Sequence, residues 1–219
     1  MTLSSPPVPE ATESLSLAMR DGSRAEHDAA EQSPYISELL AGRVNTAGYV
    51  DYLLRLQVVY TAIEDAVRAH RDDSLIAAVY DPVLERRDAL AADLEHWAPG
   101  STHRVNSAAA QAYQDRIASA DWSGALLAHH YVRYLGDLSG GQAIGRMLDR
   151  AFGLGGAGLS FYDFPIRPKP YKDAYRARLD ELGLGSRERA QVVDEVKVAF
   201  GLNQAIFDEL SANLPAYQR

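Results

Sequence analysis

Cysteine is absent from this chain, which excludes disulfides, zinc–thiolate sites, iron–sulfur clusters and cysteine nucleophiles and leaves His, Asp, Glu and Tyr to hold any metal. The absence is compatible with a reducing cytoplasm, where the protein is expected to reside. A basic surplus is lacking too: Lys and Arg number 22 against 30 Asp and Glu, a formal net charge of −8. Neutralising phosphates requires clustered cations, so no nucleic-acid partner is expected. No apolar run approaches the roughly 18 residues that a membrane span requires, so no membrane partner is expected either. Met1 to Ala11 contains three prolines but no basic-then-apolar pattern, and residues 1–12 read as a flexible leader rather than a secretory signal. Residues 214–219 read as a polar C-terminal tail. Internal repeats are missing.

What is present is an ordinary globular composition, 47% hydrophobic and 24% charged, which is rich enough to build a core. A length of 219 residues admits one large domain or two small ones, and no compositional break divides the chain, so one domain over residues 13–213 is expected. Apolar residues recur at helical spacing from about residue 14 and strand-like alternation is scarce, which predicts an all-α protein. A first helix is expected over 14–31, and a short second one opens at Ser33-Pro34, where proline suits the first turn. A long third helix over 46–71 places Tyr49, Tyr52, Leu53, Leu56, Tyr60, Ile63 and Val67 on one apolar stripe. Further helices are expected from Asp81-Pro82 to Pro99, over 107–119, 122–152, 171–182 and 186–210. The glycine- and proline-rich stretch 153–170 is the long irregular region.

The segment 122–152 carries Gly136, Gly140, Gly141 and Gly145. Each glycine costs about 1 kcal/mol relative to alanine inside a helix, so the run needs a reason. Gly136 and Gly140 lie one turn apart on a shared face, where absent side chains let the backbone touch a flat partner or another helix, and they permit a kink. Close helix packing and ligand contact both fit. Asp137 and Arg133 beside the bare strip favour chemistry, because ionisable groups next to an apolar slot are typical of working sites. Gly145 has no functional account from sequence.

Six histidines are available as metal ligands. His70 and His103 fall at polar helix ends or in loops, His96 beside Trp97 is ambiguous, and the consecutive His129 and His130 point about 100° apart, so at most one could face a slot. His27 has Glu31 one turn later, within reach of a hydrogen bond to the ring nitrogen that a metal would leave free. A surface His–Glu pair explains the same spacing. No pair of Glu-x-x-His motifs exists for a di-metal bundle.

Tyr134-Leu-Gly-Asp-Leu-Ser-Gly-Gly-Gln142 resembles the signature segment of haem oxygenases, and Ala25-Glu-His27-Asp-Ala-Ala-Glu31 resembles that family's proximal helix. Tyr60-Thr-Ala-Ile-Glu64, Tyr171-Lys-Asp-Ala-Tyr-Arg176 and Phe200-Gly-Leu-Asn203-Gln-Ala-Ile-Phe207 follow in the family's order, so the resemblance covers about residues 14–212. It implies a single-domain helical fold with haem b between the proximal helix and a glycine-kinked distal helix. His27 is then the iron ligand, oriented by Glu31, and Gly136, Gly140 and Gly141 form the distal wall. Asp137 is expected to anchor a water network that delivers a proton to iron-bound oxygen, supported by Tyr60, Arg133 and Asn203. Lys172, Arg176, Tyr131 and Arg20 are expected at the propionates, with Phe207 also at the haem. Arg20 stands where many relatives have lysine, keeping the charge but not the geometry.

The reaction implied is cleavage of haem at a meso carbon, the alpha position, to biliverdin, CO and ferrous iron. O2 is the co-substrate, and an external ferredoxin or flavoprotein reductase supplies the electrons. A monomer is expected. A haem carrier would use His27 but has no evident need of Asp137, and a helical interaction module would explain neither feature.

Overall fold

The computed structural model describes residues 14–219. The expected leader over 1–12 lies outside the described residues. Helices dominate the described chain, as the apolar periodicity predicts, and they pack around one core. The first predicted helix is two: α1 (Leu15–Gly22) and α2 (Arg24–Glu31). The break falls at Ser23, whose hydroxyl donates to the Met19 carbonyl at 2.7 Å. Such back-bonding gives the backbone an alternative to continuing the helix. α3 (Pro34–Leu40) opens with its proline in the first turn.

The 24-residue α4 (Thr46–Ala69) is capped by Asn45, whose side chain accepts from the Gly48 amide at 3.0 Å. Its predicted stripe from Tyr49 to Val67 is buried throughout. The short α5 (Ser74–Ala77) follows. The helix expected from Pro82 is divided into a 3-10 turn (Pro82–Leu84) and α6 (Arg87–Trp97). Between them the Arg86 amide leaves helical pairing and donates to buried Glu64 Oε1 at 2.6 Å. α7 (Ala108–Ala118) is capped by Ser107.

α8 (Ser123–Gly136) and α9 (Gln142–Phe152) are joined without a break by a π-helical turn over Asp137–Gly141. The glycines thus accommodate a π-bulge, a local widening frequent at functional sites. Ser139 supports it, its hydroxyl donating to the Leu135 carbonyl at 2.7 Å. Gly153, at φ +65°, ends α9 in the left-handed conformation that favours glycine. The irregular stretch contains a 3-10 turn at Ser160–Tyr162 and is shorter than expected, because α10 (Pro168–Asp180) takes in its last three residues. α11 (Ser186–Ala212) runs 27 residues and packs on α8, α7, α2 and α3.

The expected tail forms a further turn, α12 (Leu214–Tyr217), against the start of α4. Asn45 N donates to Tyr217 O at 2.8 Å, and the Tyr217 ring is buried over Gly48. Polar composition concealed that one aromatic anchor. Among the described residues no helix is long and apolar enough to cross a membrane.

Candidate active site

A cleft of about 570 Å³ is lined by residues of α2, of the continuous α8–α9 helix, and of α3, α4 and α11. That volume lies within the usual range for small-molecule sites. Its walls are mostly apolar, with Ile36, Leu40, Leu135, Ile144, Phe161 and Phe207 among the lining residues.

α2 presents His27 to the cleft. The imidazole is half exposed and rests edge-on against Phe200, with ring centroids 5.7 Å apart. Glu31 lies 3.6 Å from Nε2 and Asp28 lies 3.4 Å from Nδ1. The i+4 carboxylate is therefore at ion-pair rather than hydrogen-bond distance, and Asp28, absent from the sequence expectation, stands at the other ring nitrogen. Among the described residues no three His, Asp or Glu cluster as metal ligands, so His27 offers a single nitrogen.

In the same cleft, the π turn exposes a strip of bare backbone. Cβ atoms added at Gly136 or Gly140 would meet nothing within 4 Å, which shows that these glycines face open cleft rather than a packed helix. Gly141 is buried, and its missing side chain points toward Asp137 and Tyr162 at ordinary contact distance. Gly145 does serve packing, since a Cβ there would lie 2.9 Å from Tyr162 Cβ. The two explanations for the glycine run therefore hold at different glycines.

Behind the strip, four buried side chains form a continuous polar cluster. Tyr60 donates a short hydrogen bond to Asp137 Oδ2. Arg133 Nε donates to the Tyr60 oxygen at 3.2 Å, and its Nη1 donates to Asn203 Oδ1 at 2.5 Å. Asp137, Arg133 and Asn203 line the cleft, whereas Tyr60 is wholly buried and reaches the cleft through its bonds to Asp137 and Arg133. Burial pushes the Asp137 carboxyl above the ordinary aspartate range, opposed by the nearby Arg133 guanidinium, the Tyr60 hydrogen bond and Arg86. Burial likewise holds Tyr60 well above the usual phenol range, so it is the hydrogen donor of the pair.

Arg20, Tyr131 and Arg176 stand around the cleft, while Phe207 lies deeper. Arg20 is held in a two-bond fork by Asp21, at 2.9 and 3.1 Å. Lys172 is not among the lining residues: its ammonium donates to Ser139 Oγ at 2.7 Å, linking α10 to the π turn at the cleft's edge. Burial and the neighbouring Arg176 lower the Lys172 pKa.

His129 and His130 are buried away from the cleft. His129 sits between Tyr113 at 3.1 Å and Glu195 at 2.9 Å, and His130 is 2.8 Å from the Tyr175 hydroxyl. Sequence reasoning missed Tyr52, Phe161 and Tyr162 as lining residues. Tyr52 was legible only as part of an apolar stripe, where its hydroxyl and that of Tyr60 were the signs that this face also meets a polar cluster.

The family model for heme oxygenase matches residues 13–209. The "Heme oxygenase 1" of Synechocystis sp. is 34% identical over 207 residues, covering 91% of this chain and 86% of its own. Among solved structures, heme oxygenase-2 from Synechocystis sp. in complex with heme and NO superposes with a TM-score of 0.88 at 33% identity, covering 93% of this chain and 87% of its own. The heme oxygenase of Leptospira interrogans gives 0.85 at 37% identity, covering 90% and 99% respectively.

Proposed function

This chain belongs to the haem oxygenase family and is an enzyme of oxidative haem cleavage; from that premise we propose that haem b binds in the cleft between α2 and the α8–α9 helix, with His27 as its iron ligand. The observation that carries the reading is the meeting, in one slot, of a cleft-lining imidazole, the Cβ-free backbone of Gly136 and Gly140, and the buried carboxyl of Asp137. A lone imidazole suits an iron whose equatorial ligands arrive with it in a macrocycle. The apolar walls suit the ring, and Arg20 and Arg176 suit two carboxylates.

Bound haem supplies both the iron that reduces O2 and the ring carbon that is oxidised. The protein's part is orientation and proton handling. Asp137, pushed upward by burial, can hold a proton and exchange it with water in the cleft, while Tyr60 fixes its carboxylate and Arg133, itself held by Asn203, fixes Tyr60. Gly136, Gly140 and Gly141 let the distal wall approach the ring face closely and restrict which meso carbon is presented, the alpha position in our reading. Arg20, Tyr131, Lys172 and Arg176 hold the propionates, and Lys172 exchanges its Ser139 partner for a carboxylate. Phe207 packs against the ring, and Glu31 or Asp28 orients His27 from the ring nitrogen left free of iron. O2 is the co-substrate, electrons come from an external ferredoxin or flavoprotein reductase, and biliverdin, CO and ferrous iron leave. We assign the active form as a cytoplasmic monomer.

The test is to mix purified protein with stoichiometric haem, supply ascorbate or a competent reductase in air, and follow the spectrum. The reading expects a Soret band that decays to biliverdin, with His27→Ala weakening the band and Asp137→Ala retaining it but stopping the decay. A Soret band that persists through reduction and oxygenation in the unaltered protein overturns the enzyme assignment in favour of a carrier.

A further inference from the structure

Two buried phenols lie between the cleft and Trp97, and their chemistry is unused by haem seating or proton delivery. Tyr162 lines the cleft, and its buried hydroxyl faces the buried hydroxyl of Tyr49 behind it, neither one bonding to any other side chain or backbone group. The two hydroxyls are near enough to perturb each other's ionisation. Tyr49 is then edge-to-face with Trp97 at 5.0 Å between centroids. Trp97 is only partly buried and donates its indole N–H to the Gly158 carbonyl at 2.8 Å.

Both ends of this row are built around glycines. Tyr162 packs on Gly145, and an added Cβ at Gly158 would fall 2.6 Å from Trp97 Nε1. Apart from cysteine, which this chain lacks, tyrosine and tryptophan are the side chains most readily oxidised by one electron. A chain that activates oxygen beside Tyr162 therefore holds an aromatic route from the cleft toward the surface.

We propose that Tyr162, Tyr49 and Trp97 form an electron-transfer path that draws an oxidising equivalent out of the haem cleft when the haem is oxidised without ring cleavage, with Trp97 as the terminal site. The inference rests on haem occupying the cleft. With an alkyl hydroperoxide as oxidant, the O–O bond breaks to leave an alcohol, the other oxygen stays with the haem, and the haem site is two electrons short. One electron passes from Trp97 through Tyr49 and Tyr162 to that site. Each phenol gives up one electron and regains one, so neither loses its proton overall. Trp97 is left as a radical cation whose N–H stays on the Gly158 carbonyl, and a one-electron donor such as ascorbate refills it from solution.

The experiment is freeze-quench electron paramagnetic resonance of the ferric haem complex after mixing with an alkyl hydroperoxide, using ring-deuterated tryptophan to identify the radical. Trp97 and Trp122 are the two tryptophans, so Trp97→Phe and Trp122→Phe distinguish the sites. The path predicts a tryptophan radical that is lost in Trp97→Phe, kept in Trp122→Phe, and reduced to baseline in Tyr49→Phe, which removes only a hydroxyl. The Soret band of each sample reports haem binding independently. A radical unaffected by Tyr49→Phe or located on Trp122, or bound haem with no tryptophan radical, overturns the path while leaving the proposed function standing. A chain that binds no haem overturns both.

Discussion

Replacing Gly136 with alanine should stabilise this protein and damage its function. Gly136 has ordinary right-handed helical dihedrals, φ −61° and ψ −49°, and an added Cβ meets nothing within 4 Å. The substitution therefore incurs no steric cost and narrows the unfolded ensemble, a gain of about 0.4–1 kcal/mol. For a chain of this size that corresponds to a melting-temperature rise of roughly 1–4 °C. The new methyl group projects into the slot that we assign to haem. Loss of close contact along that wall should weaken haem binding by about tenfold, equal to ~1.4 kcal/mol. Gly145→Ala supplies the opposite sign: its Cβ would press on Tyr162 at 2.9 Å, and such overpacking costs about 1–3 kcal/mol. Thermal melts of the haem-free proteins and haem titrations give both quantities. A lower melting temperature for Gly136→Ala with unchanged haem affinity and product would refute the claim that this strip faces a ligand.

Asp137→Ala should retain haem while turnover falls about 100-fold or more, the usual contribution of positioned proton transfer; single-turnover kinetics with reductant decide it. Lys172→Ala and Arg176→Ala should each weaken haem binding by about tenfold through loss of a charge-assisted bond, read by titration, and equal affinity in the double variant would remove them from the propionate site. His130 supplies a pH prediction. Burial, aided by Arg178, lowers its pKa to about 3, against ~6.5 when unfolded, so the unfolded chain binds the extra proton between those values. Its contribution is complete above pH ~6.5 and lost as pH falls toward 3, at about 1.4 kcal/mol per unit. Denaturant melts should therefore show roughly 2 kcal/mol of stability lost between pH 7 and 5, and His130→Asn should flatten that slope. Glu195, placed by His129 and Arg116, should cost about 1–3 kcal/mol when changed to glutamine, measured at neutral pH.

Much of the architecture was legible in the sequence because helix periodicity and capping are local. The Tyr49–Val67 stripe, the helix expected over 107–119 and the Pro34 opening depend on residues within a turn or two of one another. Two departures arose where a partner distant in sequence won, Glu64 taking the Arg86 amide from a helix and Gly48 receiving the Tyr217 ring of the supposed tail, whereas the break at Ser23 came from a local bond to the Met19 carbonyl. The identity of the site residues could be read as types and positions, but not which ring nitrogen of His27 each carboxylate would meet.

The sequence by itself determined that this is a cysteine-free helical chain with a costly glycine run flanked by ionisable residues, because composition and spacing along a helix suffice for that. Tertiary structure alone decided which glycines are bare for a ligand and which are bare for a neighbour. Gly136 and Gly140 open on the cleft and Gly145 on Tyr162, a distinction made by what lies opposite each Cα. It likewise decided that Asp137, Tyr60, Arg133 and Asn203 share one buried cluster. Their separation along the chain spans three helices, and only the packing of α4, α8 and α11 removes the water that would otherwise leave each of them an ordinary polar side chain.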